Sequence, residues 1–196
     1  MNTVSDIGIS IIGVGNIAHE HARVLNSLDG VYLKGAFSRT AKNTEEFATV
    51  HKTTAYRDLD SLTSDEPEGI IVAVSADQIF RVSKELLPCK IPLLIEKPPG
   101  LSLEELGELA SLAKKFSSPN MIGLNRRFMS HFLEGVRFLN EHGPLLGLLI
   151  EGHERLWQLE NSVDESLIRK WIYANSIHTI DLLRYFGGEV SEQLSL

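Results

Sequence analysis

"IGISIIGVGNIAHEHARVL", residues 7–25, carries the decision about the fold. A short apolar run, Ile7 to Ile12, ends in glycines and has the length and composition of a buried strand. Beyond it Ile17, Val24, Leu25 and Leu28 recur at helical spacing, and the helix is expected to stop at Gly30. The join is "GVGNIA", which sets Gly13, Gly15 and Ala18 in the G-x-G-x-x-G/A pattern. Gly13 permits a tight turn, Gly15 lets backbone approach a pyrophosphate, and Ala18 is small enough for the helix to pack on the strand. N–H groups at the helix start then point at the phosphates. Alone the pattern is weak. Opening the first strand–turn–helix unit of the chain, it predicts dinucleotide binding, with Gly13, Gly15, Asn16 and Ile17 at the cofactor. The bland alternative is a glycine turn needed only for packing.

Working outward, "VYLKGAF" predicts a second strand and "TAKNTEEFATVH" a second helix. "TTAY" is a short strand candidate, and "GIIVAVS" a strong buried one. "IFRVSKELLP" predicts a helix closed by Pro88, and "IPLLIE" the next strand. "SLEELGELASLAKKF" predicts a helix opened by a capping box, Ser102 with Glu105, and "MIGLN" one more strand. Strands that alternate with helices and are continuously apolar imply a parallel sheet covered on both faces, a doubly wound α/β Rossmann domain. The rhythm holds to about residue 118, and "FSSPN" marks the boundary between domains at 1–118 and 119–196. In the second part "HFLEGVRFLNEHG" and "SIHTIDLLRYFGG" predict helices, the latter ending at Gly187. "LLGLLIEGHE" and "EVSEQLSL" predict strands, and "RLWQLENSVDESLIRKW" an irregular connection. This is the start of an α+β domain with an open, incomplete sheet, and two strands with two helices bury little by themselves.

Composition narrows the function. The chain has 196 residues, 43% hydrophobic and 23% charged, which suits one large or two small globular domains. Net charge is −7, the pI is about 5.5, and Lys and Arg form no basic stripe, so nucleic acid is not an expected partner. Cys89 is the one cysteine, which excludes an internal disulfide and argues against a Cys-based metal site. It is expected to pack near a helix end. The N-terminus lacks a basic leader and its apolar stretch is broken by glycine, so no membrane span and a cytoplasmic location are expected.

The end of the second strand bears on the cofactor. NAD-binding chains usually place Asp or Glu there for the ribose hydroxyls. This chain has Ser38, Arg39 and Thr40, none acidic. Arg39 suits a 2′-phosphate in bidentate geometry with both hydroxyls donating, so NADP is preferred over NAD. The plain alternative is a solvated Arg39 at a helix start.

"GVGNIAHEHARVL", "IEKPPGLSLEEL", "GLNRRF" and "SIHTIDLLRYFGG" stand in order along the chain. Together they resemble the Gfo/Idh/MocA oxidoreductases, the glucose–fructose oxidoreductase and inositol dehydrogenase family. The resemblance implies a Rossmann domain followed by an α/β domain. It also implies hydride transfer between NAD(P) and a CH–OH group of a sugar, cyclitol or related alcohol or ketone. It makes Lys97 of "EKP" and His178 of "IHTID" the catalytic pair. A neutral imidazole suits the hydroxyl proton, and an ammonium stabilises the developing alkoxide. Asp181 lies one helical turn after His178 and is a substrate candidate, as are Arg126 and Asn175. Ser75, Glu96, Lys97 and Asn125 are carried over as cofactor contacts. His21 fits a first-helix histidine with a packing or cofactor-supporting role, and Arg127 is as readily structural. No metal is implied.

Three departures stand against a routine enzyme. "SADQIF" puts Phe80 where the family commonly has histidine. Ala174 stands where many members carry Asp four residues before the catalytic histidine, with Asn175 one position away. The second sheet is short. The resemblance therefore leaves open a shortened member stabilised by homo-oligomerisation through that sheet, a truncated product of weak activity, or a non-catalytic dinucleotide-binding sensor or partner module.

Overall fold

The computed structural model describes residues 6–154 and 165–192, and the chain divides into two units between Gly123 and Leu124. The first unit has strands β1 (Ile7–Ile12), β2 (Val31–Phe37), β3 (Thr54–Ala55), β4 (Gly69–Val72), β5 (Leu93–Ile95) and β6 (Asn120–Ile122). Its helices are α1 (Asn16–Leu25), α2 (Ala41–His51), α3 (Leu59–Ser64), α4 (Ala76–Leu86) and α5 (Leu103–Phe116). The strands form one sheet in the order β3-β2-β1-β4-β5-β6, every pair parallel. This is the doubly wound fold that the alternation of elements implied.

Neighbouring strand residues point to opposite faces, and the two faces have separate cores. Ile11, Ile71 and Ala73 pack with Ala18, Ala22 and Leu25 of α1 and Phe47 of α2. Ile12, Ile70 and Val72 pack with Leu62 of α3, Ile79 and Val82 of α4 and Leu109 of α5. Ala18 and Ala22 are fully buried, so α1 lies close to the sheet. A buried Ile or Leu contributes about 1.5–3 kcal/mol, against about 0–1 kcal/mol for an exposed ion pair such as Arg23–Glu20. The two cores, not surface charge, hold this unit.

Several boundaries differ from those expected. Helix α1 ends at Leu25, not at Gly30. Asn26 and Ser27 end it, with the Ser27 hydroxyl donating to the Val24 carbonyl and competing with the helical bond. Helix α3 was not anticipated; Asp58 accepts from the Ser61 N–H while the Ser61 hydroxyl serves the Asp58 backbone, a reciprocal cap on a six-residue helix. Helix α4 starts at Ala76 and ends before a 3₁₀ turn, Leu87–Cys89, that contains Pro88. Cys89 is exposed, not packed, while Leu87 of the same turn takes the buried position. At α5, Ser102 caps the Glu105 N–H, but the Glu105 carboxylate accepts from Leu101 N–H, one residue before the cap. Strand β6 pairs with β5, so the first unit extends a little past residue 118.

The second unit has helices α6 (Ser130–His142), α7 (Glu165–Ile168) and α8 (Ile177–Gly187), a 3₁₀ turn at Asn125–Phe128 and a π turn at Ile172–Ser176. The strand expected at 145–154 does not form. No described segment pairs with it, and Leu146 is 98% exposed, so neither ladder bonds nor burial support extension. Residues 189–192 are not a strand either; the remainder of that expected strand, and 155–164 of the expected connection, lie outside the described residues.

Candidate functional site

The sheet register sets a row of residues at one edge. Ile12 pairs with Phe37 and Val72, Val72 with Ile95, and Ile95 with Ile122. The next backbone bonds continue the ladder: Gly13 N–H to Phe37 O, Ala73 N–H to Ile12 O, Glu96 N–H to Val72 O and Gly123 N–H to Ile95 O. Gly13, Ser38, Ala73, Glu96 and Gly123 thus emerge together at the carboxyl ends of the strands, where open α/β sheets bind ligands.

A cavity of about 790 Å³ opens at this edge, beside the switch point between β1 and β4. Gly13, Gly15, Ile17, Ser38, Arg39, Thr40 and Ser75 all line it; Asn16, Glu96 and Lys97 are not part of that lining. Gly13 has φ +94°, and a Cβ there would stand 2.4 Å from the Ala73 carbonyl oxygen, so only glycine fits. At Gly15 a Cβ would meet nothing within 4 Å. The backbone is therefore bare toward the cavity, and the first turn of α1 has N–H groups with no intrahelical acceptor. The lining and these two glycines fit a dinucleotide phosphate group.

The loop after β2 is organised from within. Ser38 N–H donates to Thr44 Oγ1 at 2.9 Å, and the Ser38 hydroxyl bonds Thr40 O at 3.1 Å and Thr44 Oγ1 at 2.9 Å. Thr44 is buried, so Ser38 has its hydroxyl committed to the fold. Arg39 and Thr40 are exposed on the rim. Across the cavity, the Ser75 hydroxyl, ahead of the Gln78 amide and the Arg39 charge, holds the Asp77 carboxyl below its usual range. Asp58, Asp60, Asn43, Gln78 and Arg81 also line the cavity and were not anticipated. The unrecognised Asp58–Ser61 cap spacing is the signal that would have placed α3, and with it these carboxylates.

Glu96 and Lys97 follow β5, and the Lys97–Pro98 peptide is cis. The Glu96 carboxylate accepts from His21 Nε2 at 2.8 Å and from Lys97 N–H at 3.2 Å. Burial pushes the Glu96 carboxyl up, but the His21 bond and charge, with the Lys97 backbone and charge, outweigh it and leave it below its ordinary value. Glu96 is thus ionised, and His21 Nε2 carries the donated proton.

In the second unit, Asp181 is buried and takes a two-point bond from Arg127, Nε to Oδ2 at 2.6 Å and Nη2 to Oδ1 at 2.5 Å. Arg127 also lies 5.2 Å from the Tyr185 ring centre. This pair occupies Asp181, the expected substrate group. Ala174 and His178 are each 6% exposed. Asn175 donates to Glu154, whose carboxylate also accepts from Trp171 Nε1 and Ser176 Oγ. Asn125 is exposed and Arg126 half-buried. Among the described residues no three His, Cys, Asp or Glu side chains gather as a metal site, and no helix is long and apolar enough to cross a membrane.

The family model described as oxidoreductase family, NAD-binding Rossmann fold (Gfo/Idh/MocA) matches residues 7–124. The chain belongs to this family. Among Gfo/Idh/MocA relatives, the glucose-6-phosphate 3-dehydrogenase of Bacillus subtilis is 30% identical over 144 residues, 72% of this chain and 41% of that protein. An oxidoreductase from Agrobacterium radiobacter, solved with NAD+, L-tartaric acid and magnesium, has a TM-score of 0.76 at 16% identity, covering 97% of this chain and 59% of that one. A Gfo/Idh/MocA oxidoreductase from Vibrio cholerae has a TM-score of 0.63 at 24% identity, covering 69% of this chain and 44% of that one. At such identities the structural likeness is one of fold. The chain spans about half the length of the curated relatives it matches.

Proposed function

We propose that the chain is an NAD(P)-dependent oxidoreductase that acts on a CH–OH group of a sugar, cyclitol or related alcohol, or on the matching ketone. The observation that carries this reading is the cavity at the carboxyl edge, walled by bare backbone at Gly15 and by Arg39. Similarity to a dehydrogenase named for a sugar phosphate supports the substrate class. NADP is the proposed preference. No carboxylate follows β2, while Arg39 lines the cavity; of the lining carboxylates, Asp58 is committed to its helix cap, and Asp60 and Glu85 belong to α3 and α4.

When bound, the nicotinamide supplies the hydride acceptor or donor. The Lys97 ammonium stabilises negative charge on the reacting oxygen, and the His178 imidazole takes or returns the hydroxyl proton. Glu96, anchored by His21, holds the Lys97 backbone N–H and so fixes where the lysine leaves the strand.

The test has two steps. Nicotinamide fluorescence compares NADPH with NADH, and NADPH is expected to bind more tightly, with the difference lost in Arg39→Ala. A screen of polyols and sugars then follows absorbance, and turnover is expected to vanish in Lys97→Ala and in His178→Ala. Turnover indifferent to both substitutions sinks the assignment. A second reading, a dinucleotide-binding module without catalysis, is favoured by the buried Ala174, which offers no charge beside the helix of His178. Binding without turnover supports that reading.

A further inference from the structure

The first turn of α8 has two carboxylates near it, and they differ in charge balance. Asp181 is cancelled by the two-point bond from Arg127. Glu154 is held by three neutral donors: Trp171 Nε1 at 2.7 Å, Asn175 Nδ2 at 2.7 Å and Ser176 Oγ at 3.1 Å. Burial pushes its carboxyl up, but these three bonds and the Arg126 charge prevail and leave it ionised, below its ordinary value. Among the described residues its hydrogen-bond donors are all neutral, and Arg126 acts on it through charge alone.

The backbone leading to Glu154 lies on the same helical face. A Cβ at Gly152 would stand 2.4 Å from Thr179 Oγ1, so residues 152–154 run directly over the segment from Asn175 to Thr179. His178 lies within that segment, buried, and Asn175 precedes it by three residues, one helical turn. The same carboxylate ties Trp171, which precedes the π turn Ile172–Ser176, to Asn175 and Ser176 at its end, and His178 follows two residues later. π turns concentrate at functional sites, where an extra residue re-aims the following helix.

We propose that Glu154 is the positioning residue for His178: its carboxylate fixes the π turn and supplies negative charge beside the imidazole, from a distant segment, where Ala174 supplies none. A buried imidazole that must carry a proton is favoured by such a charge, and bonds to neutral donors leave that charge available. Gln in place of Glu154 retains an acceptor for the turn and removes the charge, whereas Ala removes both.

The proposal rests on His178 as the proton-handling group, and its test separates the two ideas. The full chain, labelled at histidine rings and tryptophan indoles, is observed by NMR, with the His178 peak assigned by its loss in His178→Gln. In Glu154→Gln the His178 ring peak is expected to move while the Trp171 indole peak stays near its parent position. In Glu154→Ala both are expected to move, and the His21 and His51 ring peaks of the first unit to stay. A His178 peak unmoved in the folded Glu154→Gln protein overturns the proposal and leaves Glu154 a staple of the turn. Should Glu154→Ala not fold, the Glu154→Gln result decides. Where the parent chain turns over substrate, Glu154→Gln is expected to lower kcat about tenfold with KM within about twofold; equal loss in both overturns a role confined to positioning. Absence of turnover in the parent counts against the oxidoreductase reading alone, since the NMR peaks report on Glu154 without catalysis.

Discussion

His21 Nε2 stands 2.8 Å from Glu96 Oε1, joining the helix that follows the glycine loop to the strand end that carries Lys97. Their side chains are 22% and 14% exposed, so this is a partly buried, charge-assisted bond. It ties the helix after the glycine loop to the lysine through one side-chain contact and one backbone bond.

Loss of His21 leaves the Glu96 carboxylate desolvated with its strongest partner gone. His21→Ala is expected to cost about 1–3 kcal/mol at neutral pH. In the parent the folded-state value of Glu96 lies below its ordinary 4.5, so its contribution is present above that pH and fades as pH falls through the folded value. In the variant, burial acts without His21 and Glu96 protonates at higher pH. The stability gap therefore narrows on acidification, as urea denaturation at about pH 7 and about pH 4 reads out. A gap that widens contradicts the assignment.

The two glycines of the loop separate folding from binding. Gly13→Ala drives a Cβ into the Ala73 carbonyl at positive φ and is expected to cost more than about 2 kcal/mol, visible as a fall in melting temperature. Gly15→Ala has open space and is expected to melt within a degree or two of the parent, about 0.5 kcal/mol or less. Its methyl instead enters the cavity and is expected to weaken dinucleotide binding about tenfold or more, measured by nicotinamide fluorescence.

Arg127→Leu strands the buried Asp181 charge. With Arg127 a third exposed, the expected cost is about 2 kcal/mol, below the roughly 3–5 kcal/mol of a fully buried pair. Adding Asp181→Leu is expected to recover most of that cost, which a double-mutant cycle on thermal unfolding checks. Simple addition of the two single costs removes the pair from the account of this unit.

Ser102→Ala removes the acceptor for the Glu105 N–H at the start of α5. The expected loss is about 1 kcal/mol, with Ser102→Asp restoring it. Chemical denaturation of the three proteins is the measurement.

Ser102 illustrates what the sequence by itself determined. A cap and the residue it serves are three positions apart, so their meeting is local. The same holds for the apolar runs of β1, β4 and β5, the helical spacing of α5, and the tight turn that needs glycine at 13. Continuous apolar runs alternating with segments of period 3.6 were enough for the parallel sheet and for the crevice at its carboxyl edge. The tertiary structure decided the partners. His21 and Glu96 are 75 positions apart and Arg127 and Asp181 54, and these pairings follow from sheet register and helix docking rather than from spacing. Asp181, expected to face substrate, is engaged by an arginine that the sequence left undecided. Ala174 pointed to a missing carboxylate, and the fold brings Glu154 to the same turn from a stretch expected to be a strand. Such contacts depend on where separate segments come to rest, and no local periodicity encodes that.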